Sequence, residues 1–241
     1  MNLLPVVFLF ILFFAGVPVA LALILCLIPY FLMDPYISAT VIIQRMVANV
    51  EVPSMMAAPM FIIAGSIMSH SGVTSRLMNL ADCFVGHLTG GLGHINILLS
   101  TLMGGISGSG AADAASDCKI LVPEMEKRGY SKSYSGAVTA ASAVITPIIP
   151  PGVGLVVFAS ICECSVGKLF CSGYIPGIMM CIGMMLWNTH WAKKHDIKKT
   201  REHMASGKEI LHSLRESVWA LVIPFVLILG LRCGAFNAIE G

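Results

Sequence analysis

Two short stretches carry the groups best suited to holding an ion: Ser107-Gly108-Ser109-Gly110, and the run from Thr146 through Pro147, Pro150, Pro151 and Gly152. Ser107, Ser109, Ser142 and Thr146 offer hydroxyl oxygens. Gly108 and Gly110 leave backbone carbonyls free to turn inward, because glycine tolerates conformations closed to other residues. A set that is oxygen-rich, hard and nearly neutral suits Na⁺ and no transition metal. Asp113 and Asp117 lie one helical turn apart and share a helix face. Asp113 either caps backbone amides at a helix start or takes part in a solute, ion or proton site, and Thr139 stands beside it as a candidate. Asp117 reads as a local charge partner of Lys119. The chain has no Walker motif, G-x-S-x-G, Rossmann fingerprint, HExxH or CxxC, so enzyme chemistry and an organic cofactor have no motif support.

These groups need elements that bring them together. Leu92–Ile106 and Ala111–Met125 read as two helical arms of roughly 22 Å each. A full membrane crossing takes about 20 residues, so the pair reads as a re-entrant hairpin with Ser107–Gly110 at its tip. Ser131–Ile145 and Val153–Ile161 read as one helix broken between them, since proline removes backbone donors and cannot continue a helix. Backbone freed in this way is tolerated at membrane depth only in protein or at a watery cavity. Discontinuous helices meeting at the midplane are the recurring recipe of secondary transporters. The plainer alternative is that the glycines permit a tight turn and the prolines kink a helix.

Composition supports the bilayer as solvent. Of 241 residues, 56% are hydrophobic and 12% charged, against about 25% charged in soluble domains. A net charge of +2 gives nucleic-acid binding little support. The eight cysteines read as small hydrophobes. The expected fold is an all-α integral membrane protein in five parts. Residues 1–91 form scaffold-like helices and a polar connecting arm from Ser71 to His94. Residues 92–162 form the hairpin and broken helix, and 163–192 a membrane helix. Residues 193–212 form a basic loop, and 213–241 carry a last span, Leu214–Leu231. The apolar run Leu3–Met33 is expected to break at Gly16-Val17-Pro18. Lys193, Lys194, Lys198, Lys199 and Arg201, with Lys127 and Arg128 at the hairpin base, fall on one side, the cytoplasmic one by the positive-inside rule.

The motifs Ala58-Pro59-Met60-Phe61-Ile62-Ile63-Ala64-Gly65, Ile106-Ser107-Gly108-Ser109-Gly110-Ala111-Ala112-Asp113, Thr139-Ala140-Ala141-Ser142, Ile148-Ile149-Pro150-Pro151 and Ile175-Pro176-Gly177 together resemble the large membrane subunit of TRAP (tripartite ATP-independent periplasmic) transporters, in its N-terminal half. The resemblance implies an elevator-type carrier of two inverted repeats in a bacterial inner membrane, multi-pass and Na⁺-driven, importing a small organic acid such as a C4-dicarboxylate. It implies two protein partners, a small membrane subunit and a periplasmic solute-binding protein. It also implies a sodium site between the hairpin tip and the neighbouring break, with Ser107, Gly108 and Ser109 at the tip. Gly152 stands where family members commonly have serine. Gly234–Glu240 reads as the start of the second repeat, which implies an apparently truncated chain: a fragment, an early-stopped product or half of a split gene. Two rival readings remain, a non-functional or scaffolding membrane protein and an anion carrier without a binding protein.

Overall fold

A computed structural model describes residues 3–33, 38, 40–51, 53–197, 199–233 and 235. Lys198 of the basic loop and all but Ala235 of the Gly234–Glu240 ending lie outside the described residues. Twelve helices and no strand occur among the described residues. The chain divides into two compact units, residues 1–52 and 53–241.

In the first unit the apolar run divides into α1 (Leu4–Phe14), α2 (Val19–Leu25) and α3 (Ile28–Met33). The expected interruption is present: Gly16 takes φ +74° and Pro18 is the N-cap of α2. Proline has no N–H to donate and suits a helix start. These three helices pack on one another, with Ala22 and Cys26 buried. A fourth helix, α4 (Thr40–Val50), follows.

The second unit holds α5 (Pro53–His70), α6 (Val73–Val85), α7 (Gly91–Gly104), α8 (Gly110–Lys127), α9 (Lys132–Ser142), α10 (Val153–Ile161), α11 (Val166–Lys194) and α12 (Gly207–Cys233). Helix α11 is long and apolar enough to cross a membrane on its own. The polar stretch expected to be a connecting arm is largely helical. In α6 the apolar residues recur at helical spacing, so Leu77, Leu80 and Ala81 are buried while Arg76 is exposed. That face packs against α7 and α12. Mean polarity hid a helix whose buried stripe is narrow.

Helix α7 is the centre of the unit, contacting α6, α8, α9 and α11. Its junction with α11 is polar. Asn188, fully buried, donates to the Gly90 carbonyl at 3.1 Å and accepts from the Tyr134 hydroxyl at 2.9 Å. Replacing Asn188 by alanine strands the Tyr134 hydroxyl and leaves a void, while the Gly90 carbonyl keeps the Gly93 and His94 amides. A loss of about 2 kcal/mol is expected, read as a lower melting temperature of the chain in detergent micelles.

The loop after α11 is clasped to the same end. The Thr200 and Arg201 amides both donate to the Gly86 carbonyl at 3.0 Å. The Arg201 guanidinium reaches Asp82 at 2.6 Å and Glu209 at 2.8 Å, and these two carboxylates hold it more firmly protonated than usual. Arg128 at the α8–α9 turn donates to the Thr200 carbonyl. The hairpin base and the basic loop therefore meet at one end of the unit.

Candidate functional site

Helices α7 and α8 form the hairpin, with residues 105–109 as its tip, and α9 and α10 flank the proline-rich break of residues 143–152. The tip is seated on the break. A β-carbon added at Gly108 would lie 3.0 Å from the Pro151 carbonyl oxygen and 3.2 Å from the Gly152 α-carbon. Gly108 also takes φ +59°, in the left-handed region, so glycine is required twice over, for conformation and for space. Gly110 is pressed in the same way against the Ala143 carbonyl, and Gly65 of α5 against the Ile106 and Ser107 backbone. Four helix ends converge here. They are the C-terminal ends of α7 and α9 and the N-terminal ends of α8 and α10, where the last carbonyls and first amides lack partners within their own helix. Such a junction presents ligand groups for a cation and partial positive charge for an anion.

Beneath the tip the hydroxyls are already in use. The Asn96 amide donates to Thr139 Oγ1 at 2.6 Å, and Thr139 donates to the Ser135 carbonyl at 2.8 Å. Ser142 donates to Asn96 Oδ1 at 3.0 Å, and Ser100 donates to Ser142 Oγ at 3.0 Å. Thr146 donates to the Ser100 carbonyl at 3.1 Å. Asn96, Ser100, Thr139, Ser142 and Thr146 are all fully buried. They form a continuous polar ladder between α7 and α9, and such a network rigidifies when every member is satisfied.

The carboxylates are not satisfied. Asp113 is 2% exposed and Asp117 1% exposed. Asp113 Oδ1 accepts from Ser107 Oγ at 2.7 Å, and Ser107 Oγ accepts in turn from the Ser109 amide at 3.3 Å. Asp113 Oδ2 and Asp117 Oδ2 have no hydrogen-bond partner. The Thr146 hydroxyl lies near Asp113 and the Ser100 hydroxyl near Asp117, but both have given their protons to the ladder. Buried carboxylate oxygens without donors are costly, and a cation is the natural complement. The oxygen set of Asp113, Ser107 and Thr146 fits a small hard cation.

Among the sequence candidates, the structure brings Ser107, Gly108, Gly110, Asp113, Thr146, Pro151 and Gly152 to one junction. Pro147 abuts Gly110 and Gly152 there, while Pro150 faces Gly173 of α11. Ser109 is the N-cap of α8, accepting from the Ala112 amide, so the capping role falls to Ser109 rather than Asp113. Thr139 and Ser142 sit further along α9, within the ladder. Asp117 does not pair with Lys119. Positions two apart on a helix diverge, so Asp117 turns inward while Lys119 stays exposed. His94, at the end of the expected connecting arm, is 1% exposed and bonds Thr189 at 3.1 Å. Asn96 and Ser100 were not singled out from the sequence. Their signal was spacing: polar residues four apart on α7 face polar residues three or four apart on α9.

Comparison with known proteins gives the junction a context. The family described as "Tripartite ATP-independent periplasmic transporter, DctM component" matches residues 6–241. A sialic acid TRAP transporter large permease protein, SiaM of Vibrio cholerae, is 34% identical over 95% of this chain and 53% of its own length. The 2,3-diketo-L-gulonate TRAP transporter large permease protein YiaN of Escherichia coli is 34% identical over 93% of this chain and 52% of its own length. The isethionate TRAP transporter permease protein DctMQ of Oleidesulfovibrio alaskensis is 32% identical over 93% of this chain and 35% of its own length. This chain thus spans about half, or less, of the relatives it matches.

Proposed function

The chain belongs to the DctM-component family of tripartite ATP-independent periplasmic transporters, and from that premise we propose that it supplies half of the large membrane subunit of a Na⁺-coupled importer of a small organic acid. The family is membrane-embedded and its named relatives are permeases. In this reading the subunit sits in the inner membrane with a small membrane subunit and receives solute from a periplasmic binding protein. The hairpin and broken helix belong to a moving, elevator-like body, and the remaining half of the permease completes the solute path.

One observation carries the reading: the hairpin tip is lodged against the proline-broken helix, with Asp113 tying Ser107 in place beside it. Na⁺ is held by the Ser107 and Ser109 region, by the freed carbonyls around Gly108, Gly110 and the break, and by Thr146. The ladder keeps α7 and α9 in register, so the oxygens keep their spacing. Holding the ion stiffens the tip against the break, which couples ion occupancy to solute binding. The solutes named for the relatives (sialic acid, 2,3-diketo-L-gulonate and isethionate) all bear a carboxylate or sulfonate. An anionic solute therefore suits the positive helix ends at the junction.

The test is uptake of labelled organic acids by cells producing the complete permease with its binding protein. Uptake is expected to need external Na⁺ and to persist without ATP. Ser107→Leu and Ser109→Leu should each abolish it, because a bulky apolar side chain fills the junction and removes an oxygen. Sodium-dependent uptake unchanged in both variants would refute the site.

A further inference from the structure

A cavity of about 620 Å³ opens beside the hairpin, between one face of α8 and Ile62 and Gly65 of α5. Its inner end is formed by Ser107 and Ser109, and its far end by Ser116 and Lys119. Ser109, Ala112, Ser116 and Lys119 recur every three or four residues, so they occupy one stripe of α8. No acidic side chain lines the cavity among the described residues. Lys119 also makes no ion pair among the described residues. Lys127, Arg128 and Arg201 each have a carboxylate partner, while most of the other described lysines and arginines, like Lys119, have none. Asp113 and Asp117 stand on the buried face of the same helix, about 100° round from this stripe, and Asp113 accepts from the Ser107 hydroxyl at the cavity wall.

We infer that this cavity is an anion-binding chamber in which the Lys119 ammonium receives the carboxylate or sulfonate of a small solute. The hydroxyls of Ser116 and Ser109 receive its other polar groups. The inference rests on the reading that the permease carries an anionic solute, and it names the residue that selects the charge. An ammonium on a long flexible stem accepts acids of different shape. Because Ser107 and Ser109 border both the chamber and the ion junction, a cation at the junction and an anion in the chamber favour each other through shared residues.

The chamber can be tested without transport. In the chain in neutral maltoside micelles, with its native cysteines replaced by alanine, Ser116→Cys is labelled with an anionic and with a cationic methanethiosulfonate reagent. Ala115→Cys, also on the cavity wall, is the alternative should Ser116→Cys fail to fold. With Lys119 present the anionic reagent is favoured. Lys119→Gln should reduce that preference by about fivefold, the effect of one nearby charge in a watery site, and Lys119→Arg should retain it. N-acetylneuraminate, succinate and isethionate serve as probes, and at least one should slow labelling while glycerol does not. A preference unchanged in Lys119→Gln, or no protection by any of the three acids, overturns the proposal. If preference and protection hold but the complete permease shows no sodium-dependent uptake, the transport reading falls and the chamber stands. If uptake is intact and Lys119→Gln changes nothing, the reverse is concluded.

Discussion

Valine in place of Gly108 is expected to unseat the hairpin tip and eliminate sodium-dependent uptake by the complete permease. Two costs fall on one residue. The backbone at φ +59° is strained for any residue with a β-carbon, by about 1–3 kcal/mol. The new side chain also meets the Pro151 carbonyl, the Gly152 α-carbon and the Val153 amide, all within 3.2 Å. These are backbone atoms that cannot rotate away, and overpacking of this kind costs about 1–3 kcal/mol more. Together, at about 2–6 kcal/mol, they are a large part of the marginal stability of a domain, about 5–15 kcal/mol. Gly129→Ala provides the comparison. Gly129 has φ +88° and open space around it, so its substitution carries strain alone. Melting temperatures in micelles should fall more for Gly108→Val than for Gly129→Ala, and only the former should silence uptake. Equal, small shifts with uptake preserved would show that the tip does not need its seat.

Asp113→Ala is expected to reduce uptake by about 10- to 100-fold, the range corresponding to one lost hydrogen bond to a charged group. The carboxylate does two things. It holds the Ser107 hydroxyl at 2.7 Å, which in turn holds the Ser109 amide, and it places an unpartnered oxygen at the junction. Asp113→Asn separates them. The amide oxygen still accepts from Ser107, so the tip keeps its shape, while the charge is lost. If Asp113 serves only to position the tip, the asparagine variant keeps near-normal uptake and half-saturating Na⁺. If the charge completes a cation site, half-saturating Na⁺ rises at least as far as in the alanine variant. Measuring uptake against external Na⁺ for both variants decides between these outcomes. A normal sodium curve for Asp113→Ala would remove Asp113 from the mechanism altogether.

Much of the junction was legible in the sequence because its signals are local. Gly108 and Gly110 flag the tip, three prolines flag the break, and α10 runs over the residues expected of it, Val153–Ile161. Helix α6 was not legible, because averaging over Arg76, Asp82 and His87 masked the buried Leu77 and Leu80. The partners of Thr139 and Ser142 were not legible either. Helical spacing shows which residues share a face, but not which other helix that face meets, and Asn96 and Ser100 lie more than 40 positions away in the chain. Asp117 was misread for a related reason. Its neighbour in sequence, Lys119, points another way, and its surroundings come from Ser100 on a different helix.

The clasp between α6 and the loop after α11 bears on how the chain is made. Arg201 and Asp82 are 119 residues apart. At about 5–20 residues per second, the ribosome needs about 6–24 s to synthesise the partner that Asp82 awaits. The hairpin, the break and α11 are all synthesised within that interval. The tip and its seat are thus complete, and free to find each other, before the segment that fastens their base exists.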